Sequence, residues 1–552
     1  MKTYNKIVSA IALGSLALAS CTDLDTFPQS GTFTDDQKQD VVGLFPERLA
    51  ADVSGMYASN LKQYTVFGAA QGRGDDFGYP AICLSFDLNG PDMTAPNNGY
   101  NWFSTCSDYT DRDDTYANNY MRWALFYNQI KLSNDIIASI PEDTDDPTLK
   151  SYRGQAKAVR AFGYLNLAPY YQFKYKGHED QPCVPLVLEG MSDANNPRAT
   201  VAQVYEQIMT DLNNAITDLE GYVRNSAGEV DQQVAYGLRA RANLYMENWQ
   251  AAADDAKNAM AGYTPYQRSE LTKPMFVDSQ ESGNGWIWSM EITVDDYPTN
   301  GAAMISWPGV IGSFVQGTYS TGTGMYKCIN VLLYDEIPAT DVRKGWWVDA
   351  DLHSDNLAGL TWSGTTATGD AIASLKISGQ QKEPFLPYTT VKFGAPTIGG
   401  VDGSNDWPLM RVEEMILIQA EATAMAGGDG KSILEDFVKN YRDPNYTCQA
   451  SSGAAFQNEV WKQRRIELWG EGFSMADVMR LGKNVVRVKT GVASNLPDAY
   501  QFNIAADDPW LLMRIPQDET NSNPGIPTSA NNSGGSLPKQ GDGTGLTDGV
   551  TD

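Results

Sequence analysis

Apolar residues recur every three or four positions in several blocks of the chain, a spacing typical of helices with one buried face. The blocks lie at about 45–62, 116–140, 148–169, 201–219, 234–246, 409–441 and 456–481. Some neighbouring blocks are separated only by a short polar turn, such as Pro141 and the acidic residues 142–146. Short turns between helices favour antiparallel pairs. The pattern therefore predicts a mainly α chain built from helical hairpins.

One of these segments resembles a known repeat. Between residues 238 and 260, small residues recur and one tryptophan lies near the predicted turn. They are Ala240, Trp249, Ala252, Ala256 and Ala259. Small residues at such offsets let two helices approach closely in tetratricopeptide repeats. The first-helix tryptophan and tyrosine of that consensus are missing, so we describe the segment as TPR-like.

The sequence between the helical blocks has a different composition. Residues 67–114 and 263–408 are rich in Gly, Thr, Ser and Asp, which is typical of loops. Within the second segment, 285–292 and 390–393 have the apolar and β-branched composition of strands. We therefore expect two loop-rich insertions that carry short β-strands.

These patterns divide the chain. We expect TPR-like helices at about 116–262 and 409–482, within one domain over 45–524. The last part, 525–552, is rich in Asn, Ser, Gly and Pro. Such a composition predicts a C-terminal tail that is either flexible or wrapped on the surface.

The N-terminus has the composition of an export signal. Lys2 and Lys6 precede an apolar run over 7–18, which is too short to span a bilayer. The run ends in Leu18-Ala19-Ser20-Cys21, which looks like a bacterial lipobox. The alternative is an ordinary signal peptide that ends near Ala19.

In the lipobox interpretation, residues 1–20 are a lipoprotein signal peptide and Cys21 becomes the acylated N-terminus. Each buried acyl methylene contributes roughly 0.8 kcal/mol, so several chains hold a domain at a membrane. Residues 21–44 would then form the lipid-anchored tether. Asp23 and Asp25 resemble the signal that sends some lipoproteins to the cell surface.

Composition excludes several classes of function. The 552 residues include 41 basic and 68 acidic side chains, a formal charge of −27. This charge opposes binding to nucleic acid. Only His178 and His353 carry imidazole, which excludes histidine-rich metal sites. Aromatic residues make up 11% of the chain, and we expect some of them to face solvent.

Cysteine usage gives no disulfide framework. Five cysteines follow the signal, and no CxxC motif occurs. A pair such as Cys83 with Cys106 is possible in an oxidising compartment. We interpret the five chiefly as small buried hydrophobic residues. They are Cys83, Cys106, Cys183, Cys328 and Cys448.

Catalytic motifs are mostly excluded. Residues 428–432 resemble a phosphate loop, but Met425 replaces its first glycine and the segment joins two predicted helices. No GxSxG or HExxH motif occurs. A pair of carboxylates for glycoside hydrolysis stays open, because the separation of two carboxylates cannot be read from sequence. We therefore predict no enzymatic activity, with a surface glycosidase as an alternative.

Metal binding has one weak candidate. The loop that contains Asp108, Asp111, Asp113 and Asp114 could hold Ca²⁺, but it lacks the order of an EF-hand. A solvated acidic loop is the simpler interpretation. We predict no cofactor, with Ca²⁺ as the one open possibility.

The late helical blocks carry the most specific resemblance. The run from Arg464 to Arg480, RRIELWGEGFSMADVMR, is similar to a conserved pattern of the SusD/RagB family of outer-membrane nutrient-binding lipoproteins. Ser474 departs from that pattern, where the family usually has arginine. A second run, from Arg411 to Ala422, resembles another helix of the same family.

The resemblance implies a SusD-like fold and a binding function. It implies a surface-exposed outer-membrane protein that captures oligosaccharides and passes them to a SusC-like TonB-dependent transporter. Some relatives of the RagB type capture peptides or other nutrients, and the sequence leaves this alternative open.

The charged residues of the family run are interpreted as scaffold. Arg464, Glu467, Glu471 and Arg480 lie three to seven positions apart, so they can pair across or between helices. Breaking a buried pair costs about 3 to 5 kcal/mol.

The candidate ligand site is based on sugar chemistry. Aromatic rings pack against the C–H faces of sugars, while amides, carboxylates and guanidinium groups bind hydroxyls. The predicted ligand-binding residues are Trp102, Tyr100, Asn97, Asn98, Asp76, Arg73, Trp307 and Tyr319. The alternative for each tryptophan is that it fills a gap beneath a loop. Core positions are predicted for Trp286, Trp288, Trp123 and Trp249.

Overall fold

The predicted helical scaffold is confirmed in the computed structural model of the protein. The structure describes residues 35–61, 66, 73–191, 195–273, 275–276, 285–293, 296, 306–312, 319–359, 361–362, 365–366, 369–370, 385–393, 404–533 and 536–552. The first helices are α1 Asp35–Leu44, α2 Ala50–Leu61, α3 Tyr79–Asn89, α4 Ser104–Ser107, α5 Ala117–Ala138, α6 Pro147–Leu165 and α7 Ala168–Tyr171. The central helices are α8 Val201–Asp218, α9 Gln232–Tyr245, α10 Trp249–Ala259, α11 Trp307–Ile311, α12 Tyr319–Thr323 and α13 Val331–Asp335. The last helices are α14 Val412–Met425, α15 Gly430–Tyr441, α16 Gly453–Glu467, α17 Ser474–Leu481 and α18 Gln517–Ser522.

Local sequence explains where these helices begin. Asp146 accepts hydrogen bonds from the backbone N–H groups of Thr148 and Leu149, which caps α6. Thr200 and Gln203 form a reciprocal capping box at the start of α8. Asp429 accepts a hydrogen bond from the Ser432 N–H at 3.1 Å and starts α15. The glycine-rich segment 428–432 is therefore a turn between two helices, as predicted.

The helices stack in chain order into one scaffold. Helix α5 packs on α6, α6 on α8, α8 on α9, α9 on α10 and α10 on α14, and α14 also contacts α15 and α16. Small residues permit the close approaches. A Cβ at Gly163 would lie 3.0 Å from Ile130 Cγ1 on α5. A Cβ at Gly430 would lie 2.1 Å from the Ala420 carbonyl oxygen, so only glycine fits at the start of α15.

Short antiparallel strand pairs organise the insertions. The strands are β1 Met93–Thr94, β2 Pro182–Pro185, β3 Arg198–Thr200, β4 Trp286–Met290, β5 Cys328–Ile329, β6 Thr361–Trp362, β7 Thr365–Thr366 and β8 Trp407–Arg411. They pair as β1 with β5, β2 with β3, β4 with β8, and β6 with β7. In the β4–β8 pair Trp286 lies opposite Arg411 and Met290 opposite Trp407. This pair closes the base of the insertion that separates α10 from α14.

A buried cluster of charges lies where this insertion meets the scaffold. Its members are Asp341, Arg343, Lys392, Arg411, Glu413, Arg442, Glu467 and Glu471, all at most 5% exposed. Four carry a positive charge and four a negative charge, so the cluster is neutral. Glu467 accepts hydrogen bonds from Arg442 Nε at 2.7 Å and from Arg442 Nη2 at 2.8 Å. The charged residues of the family run therefore pair between different segments of the fold.

Two segments that the sequence predicts as loop or tether also contain helices. The segment 67–114 contains α3, in which every residue from Tyr79 to Asn89 is buried. A helix that is buried on all sides lacks the one-sided apolar pattern that predicts helices. The proposed tether also ends in a helix, because α1 covers Asp35–Leu44.

The C-terminal segment is packed against the body, which corresponds to the wrapped alternative and not to a flexible tail. Asp548 is 3% exposed and accepts a hydrogen bond from Arg465 Nη1 at 2.7 Å. The Asn484 amide also donates to the Thr547 carbonyl oxygen at 2.8 Å. A buried ion pair fixes a segment whose glycine-rich composition alone suggests mobility.

The remaining predictions concern cysteines, membranes and metals. The five cysteines after the signal are buried and free. No helix among the described residues is long and apolar enough to cross a bilayer. The signal peptide, Cys21 and residues 21–34 lie outside the described part of the chain.

The acidic loop is not uniformly solvated. Asp111 is buried, and its carboxylate lies 2.7 Å from Arg122 Nη2. Within the described residues no group of three His, Cys, Asp or Glu side chains is arranged to hold a metal ion.

Candidate functional site

The β1–β5 pair brings together two segments that are distant in the sequence. Thr94 lies opposite Cys328 in this antiparallel pair. Because antiparallel strands run in opposite directions, residues after Thr94 lie beside residues before Cys328. The loop 95–103 therefore lies alongside α12 and places Tyr100 and Trp102 near Tyr319.

Hydrogen bonds within the loop hold its backbone. The Tyr100 N–H donates to Asn98 Oδ1 at 2.8 Å. The buried Asn101 amide donates to the Pro96 carbonyl oxygen, while Asn101 Oδ1 accepts from the Phe103 N–H. Phe103 anchors the end of the loop in the core, where its ring packs edge-on against Phe77. The loop is thus held in place by the hydrogen bonds of Asn98 and Asn101 and by the packing of the Phe103 ring.

Trp102 is a partly exposed ring on a fixed support. It is 42% exposed. Its indole lies so close to Gly74 that a Cβ there would be 2.6 Å from Trp102 Cδ1. The guanidinium carbon of Arg73 lies 5.7 Å from the ring centroid, within the range of a cation–π contact.

Arg73 is itself held by a buried carboxylate. Its Nε and Nη2 donate to the two oxygens of Asp75 at 3.0 and 2.9 Å. The Asn118 amide donates to the same carboxylate at 2.8 Å, and the Asp75 side chain is fully buried. A bidentate pair of this kind fixes the orientation of the guanidinium group. Asn118 therefore holds Asp75, Asp75 orients Arg73, and Arg73 packs against the indole of Trp102.

Tyr319 connects α12 to the loop. Its hydroxyl donates to the Tyr100 carbonyl oxygen at 2.5 Å. Burial raises the pKa of Tyr319, and a hydrogen bond with Trp102 opposes the rise. One phenol therefore contacts both aromatic residues of the loop and restricts how they can move.

The exposed groups of this cluster combine flat rings with amides. Tyr100 is 60% exposed, and Asn97 and Asn98 are exposed beside it. Tyr116, 39% exposed, was not predicted. It precedes α5 and lies two positions before Asn118, the residue that binds Asp75. The β1–β5 register and the Asn118 contact are visible only in three dimensions.

Two predicted site residues are buried. Trp307 is 1% exposed, its Nε1–H donates to the Asn405 carbonyl oxygen at 2.9 Å, and its ring packs edge-on against Trp407. It is a core residue, as the gap-filling alternative anticipated. Asp76 is 2% exposed and lies in a turn in which its N–H donates to the Arg73 carbonyl oxygen. Neither side chain faces solvent at the loop.

The helical scaffold also has a cleft, of about 660 Å³, between α6 and α8. Its basic residues are already paired. Arg160 forms a two-pronged contact with Asp211, and Arg153 does the same with Asp218. The loop cluster comprises Arg73, residues 97–102 and Tyr319. Its exposed rings and amides are better suited to contact a ligand.

The chemistry of the loop cluster fits a polyhydroxylated ligand. Indole and phenol faces accept C–H surfaces, and side-chain amides both donate and accept hydrogen bonds. The supported rings lose little conformational freedom on binding, which favours affinity. This arrangement is suited to bind a flat, hydroxyl-rich molecule.

Comparison with protein families gives two matches. Residues 60–244 match a family model described as "Starch-binding associating with outer membrane". Residues 352–534 match the model of the SusD family. No match was found among curated proteins.

Solved structures share the fold. A SusD-like carbohydrate-binding protein from Bacteroides vulgatus is 23% identical, with a TM-score of 0.69, and the match covers 87% of this chain and 97% of that one. A SusD superfamily protein from Bacteroides thetaiotaomicron is 22% identical, with a TM-score of 0.67 and coverage of 88% and 99%. A laminarin-binding SusD-like protein is 17% identical, with a TM-score of 0.57 and coverage of 86% and 97%.

Proposed function

This chain belongs to the SusD/RagB family, and we propose that it is a cell-surface lipoprotein that binds oligosaccharides and passes them to a SusC-like TonB-dependent transporter. The proposal has three parts, which are ligand capture, lipid anchoring and delivery. Each part can be tested separately.

The main support for ligand capture is the pair of partly exposed aromatic rings in the loop. Tyr100 and Trp102 are large, partly exposed rings, yet hydrogen bonds and the Arg73 contact hold them in place. Exposed apolar surface of this kind, rimmed by polar residues, is typical of ligand-binding grooves. The adjacent amides of Asn97 and Asn98 suit the hydroxyl groups of a sugar.

Calorimetric titration of the mature protein with a panel of oligosaccharides tests this part. We expect at least one ligand to bind. Trp102→Ala should weaken its binding about tenfold or more, which corresponds to a loss of about 1.4 kcal/mol or more of binding free energy. Val223→Ala is the matched control, because Val223 is 85% exposed on the α8–α9 connection. Equal affinities of wild type and Trp102→Ala for every ligand would remove Trp102 from the site.

Lipid anchoring is supported by the Leu18-Ala19-Ser20-Cys21 run and the family resemblance. Mass spectrometry of the native N-terminus should give an acylated Cys21, and Cys21→Ser should release the protein from membranes. An unmodified N-terminus would contradict this part.

If the protein delivers its ligand to a transporter, the native protein should co-purify with a TonB-dependent barrel. Isolation of the native protein without any barrel would argue against delivery.

We further propose that the protein is not an enzyme. Incubation with each bound oligosaccharide should release no reducing ends, whereas a surface glycosidase would release them. The alternative of peptide capture is tested in the same titrations. Binding of peptides without any glycan would replace the proposed ligand but keep the anchor and transporter.

A further inference from the structure

The charges around the loop cluster indicate which class of glycan it can bind. Between Arg73 and Tyr116 the sequence has eight aspartates and only one other basic residue, Arg112. Arg112 is buried and its Nη1 lies 3.2 Å from Asp111. In 319–327 the only basic residue is Lys327, which is 1% exposed. Within these two described segments, Arg73 is thus the one cation near the exposed rings.

Arg73 already has an anionic partner. An arginine grips a carboxylate or sulfate best through two parallel N–H groups. In Arg73 the Nε and Nη2 pair already donates to Asp75. The Asp75 carboxylate is fully buried and remains with its partner, so the Arg73–Asp75 pair has no net charge.

The segment that follows the loop carries several acidic side chains. Asp108, Asp113 and Asp114 are partly exposed in the segment that follows the loop. Arg514 offsets one of them, since its Nη1 lies 3.3 Å from Asp113 Oδ2. The whole chain has a formal charge of −27, which adds a long-range repulsion for polyanions.

We propose, on the basis of the proposed function, that the loop cluster selects uncharged oligosaccharides over those that carry uronate or sulfate groups. The rings of Tyr100 and Trp102 contact the sugar C–H faces, and the amides of Asn97 and Asn98 bind its hydroxyls. An acidic glycan meets partly exposed aspartates in the segment after the loop and a guanidinium group that is already paired with Asp75.

Titration of the mature wild-type protein in two salt concentrations tests the proposal. Neutral probes are starch-type α-glucan, β-glucan, xylan and mannan oligosaccharides, and acidic probes are oligogalacturonate, oligoalginate and chondroitin sulfate. We expect a neutral probe to bind with a Kd that changes less than about twofold between about 20 and about 300 mM NaCl. We expect acidic probes to bind about tenfold more weakly or not at all.

Three outcomes would overturn the proposal in distinguishable ways. Preferred binding of an acidic probe, weakening with salt, would refute the charge argument and leave glycan capture intact. Preferred binding of a basic peptide such as oligolysine would show that the negative surface selects cations. Failure of every glycan to bind would refute the proposed function itself.

A gain of function gives a second test. Asn97→Lys places a cation among the exposed groups of the loop, and we expect its affinity for oligogalacturonate at about 20 mM NaCl to rise about fivefold or more. Val223→Lys adds the same charge on the α8–α9 connection and should give no comparable gain. Equal gains in the two variants would show that the overall charge, and not the loop cluster, sets the selectivity.

Discussion

Replacing Glu467 by glutamine tests the view that the family run is a structural core. Glu467 is fully buried, and both its oxygens accept hydrogen bonds from Arg442. Arg343 Nη1 lies 3.2 Å from the same carboxylate. Glu467→Gln keeps the shape of the side chain but leaves four buried positive charges against three negative ones.

The expected cost follows from this imbalance. Removing one partner of a buried ion pair typically destabilises a protein by about 3 to 5 kcal/mol, because the other charge stays desolvated and unpaired. Urea unfolding, followed by tryptophan fluorescence, should therefore show a clear decrease of the midpoint. Asp135→Asn is the control. Asp135 forms an exposed pair with Lys131 at 3.0 Å, and its loss should cost about 0.5 kcal/mol or less.

The pH dependence of stability gives an independent check. Burial alone would raise the pKa of Glu467, but its ion pairs, with that to Arg442 the strongest, outweigh burial and lower it. The unfolded chain thus takes up a proton at a higher pH than the folded protein does. The stabilisation is present above the unfolded pKa and is lost as the pH falls, so Glu467→Gln should be less sensitive to acid than wild type.

A small effect would refute the reasoning. If Glu467→Gln lost less than about 1 kcal/mol, the cluster would not behave as a desolvated network. If the variant failed to fold, Glu467→Gln combined with Arg442→Met would restore the charge balance, and Glu413 would keep Arg411 as its partner at 2.8 Å. The double variant should then recover part of the lost stability.

Three further predictions concern single side chains. Burial lowers the pKa of Lys327 to about 7, so between this pH and the ordinary lysine pKa the unfolded chain carries a proton that the folded protein lacks. The free energy of unfolding should therefore rise with pH across that window, by at most about 1.4 kcal/mol per pH unit. Urea unfolding of Lys327→Met should show a flatter rise. Trp307→Ala should lower the free energy of unfolding by about 3 to 5 kcal/mol in the same assay, because it leaves a cavity in the core. A loss below about 1 kcal/mol, as expected for a surface residue, would contradict the burial of Trp307. Tyr319→Phe removes the hydrogen bond from α12 to the loop, which should lower the free energy of unfolding by only about 1 kcal/mol. It should also weaken glycan binding several-fold in calorimetry. Unchanged affinity would show that glycan binding does not depend on this hydrogen bond.

The sequence predicts the scaffold better than the site for a physical reason. Helices with one buried face, such as α8, carry their periodicity in the chain itself. Helix α3 is buried on every side and has no such signal. The β1–β5 pair has two residues in each strand, and its partners lie more than 200 positions apart. Such a pairing cannot be read from local composition.

The two predicted tryptophans show the same limit. Trp102 and Trp307 both lie in loop-rich sequence, and nothing near either one distinguishes them. Their exposure differs because Asn405 and Trp407, about 100 positions away, cover Trp307. Gly74 and Arg73 support Trp102 without covering it. Aromatic composition can therefore name candidate residues for a binding surface, but distant parts of the chain decide which of these residues stay exposed.

The C-terminal ion pair has a practical consequence for protein engineering. Arg465 binds Asp548 through Nη1 and Asp92 through Nε and Nη2. Asp92 immediately precedes β1, the strand from which the loop 95–103 departs. Trimming the glycine-rich end to aid crystallisation would remove Asp548 and leave Arg465 with a single counter-ion directly behind the ligand loop. Affinity tags and truncations are therefore safer when they spare residues 536–552.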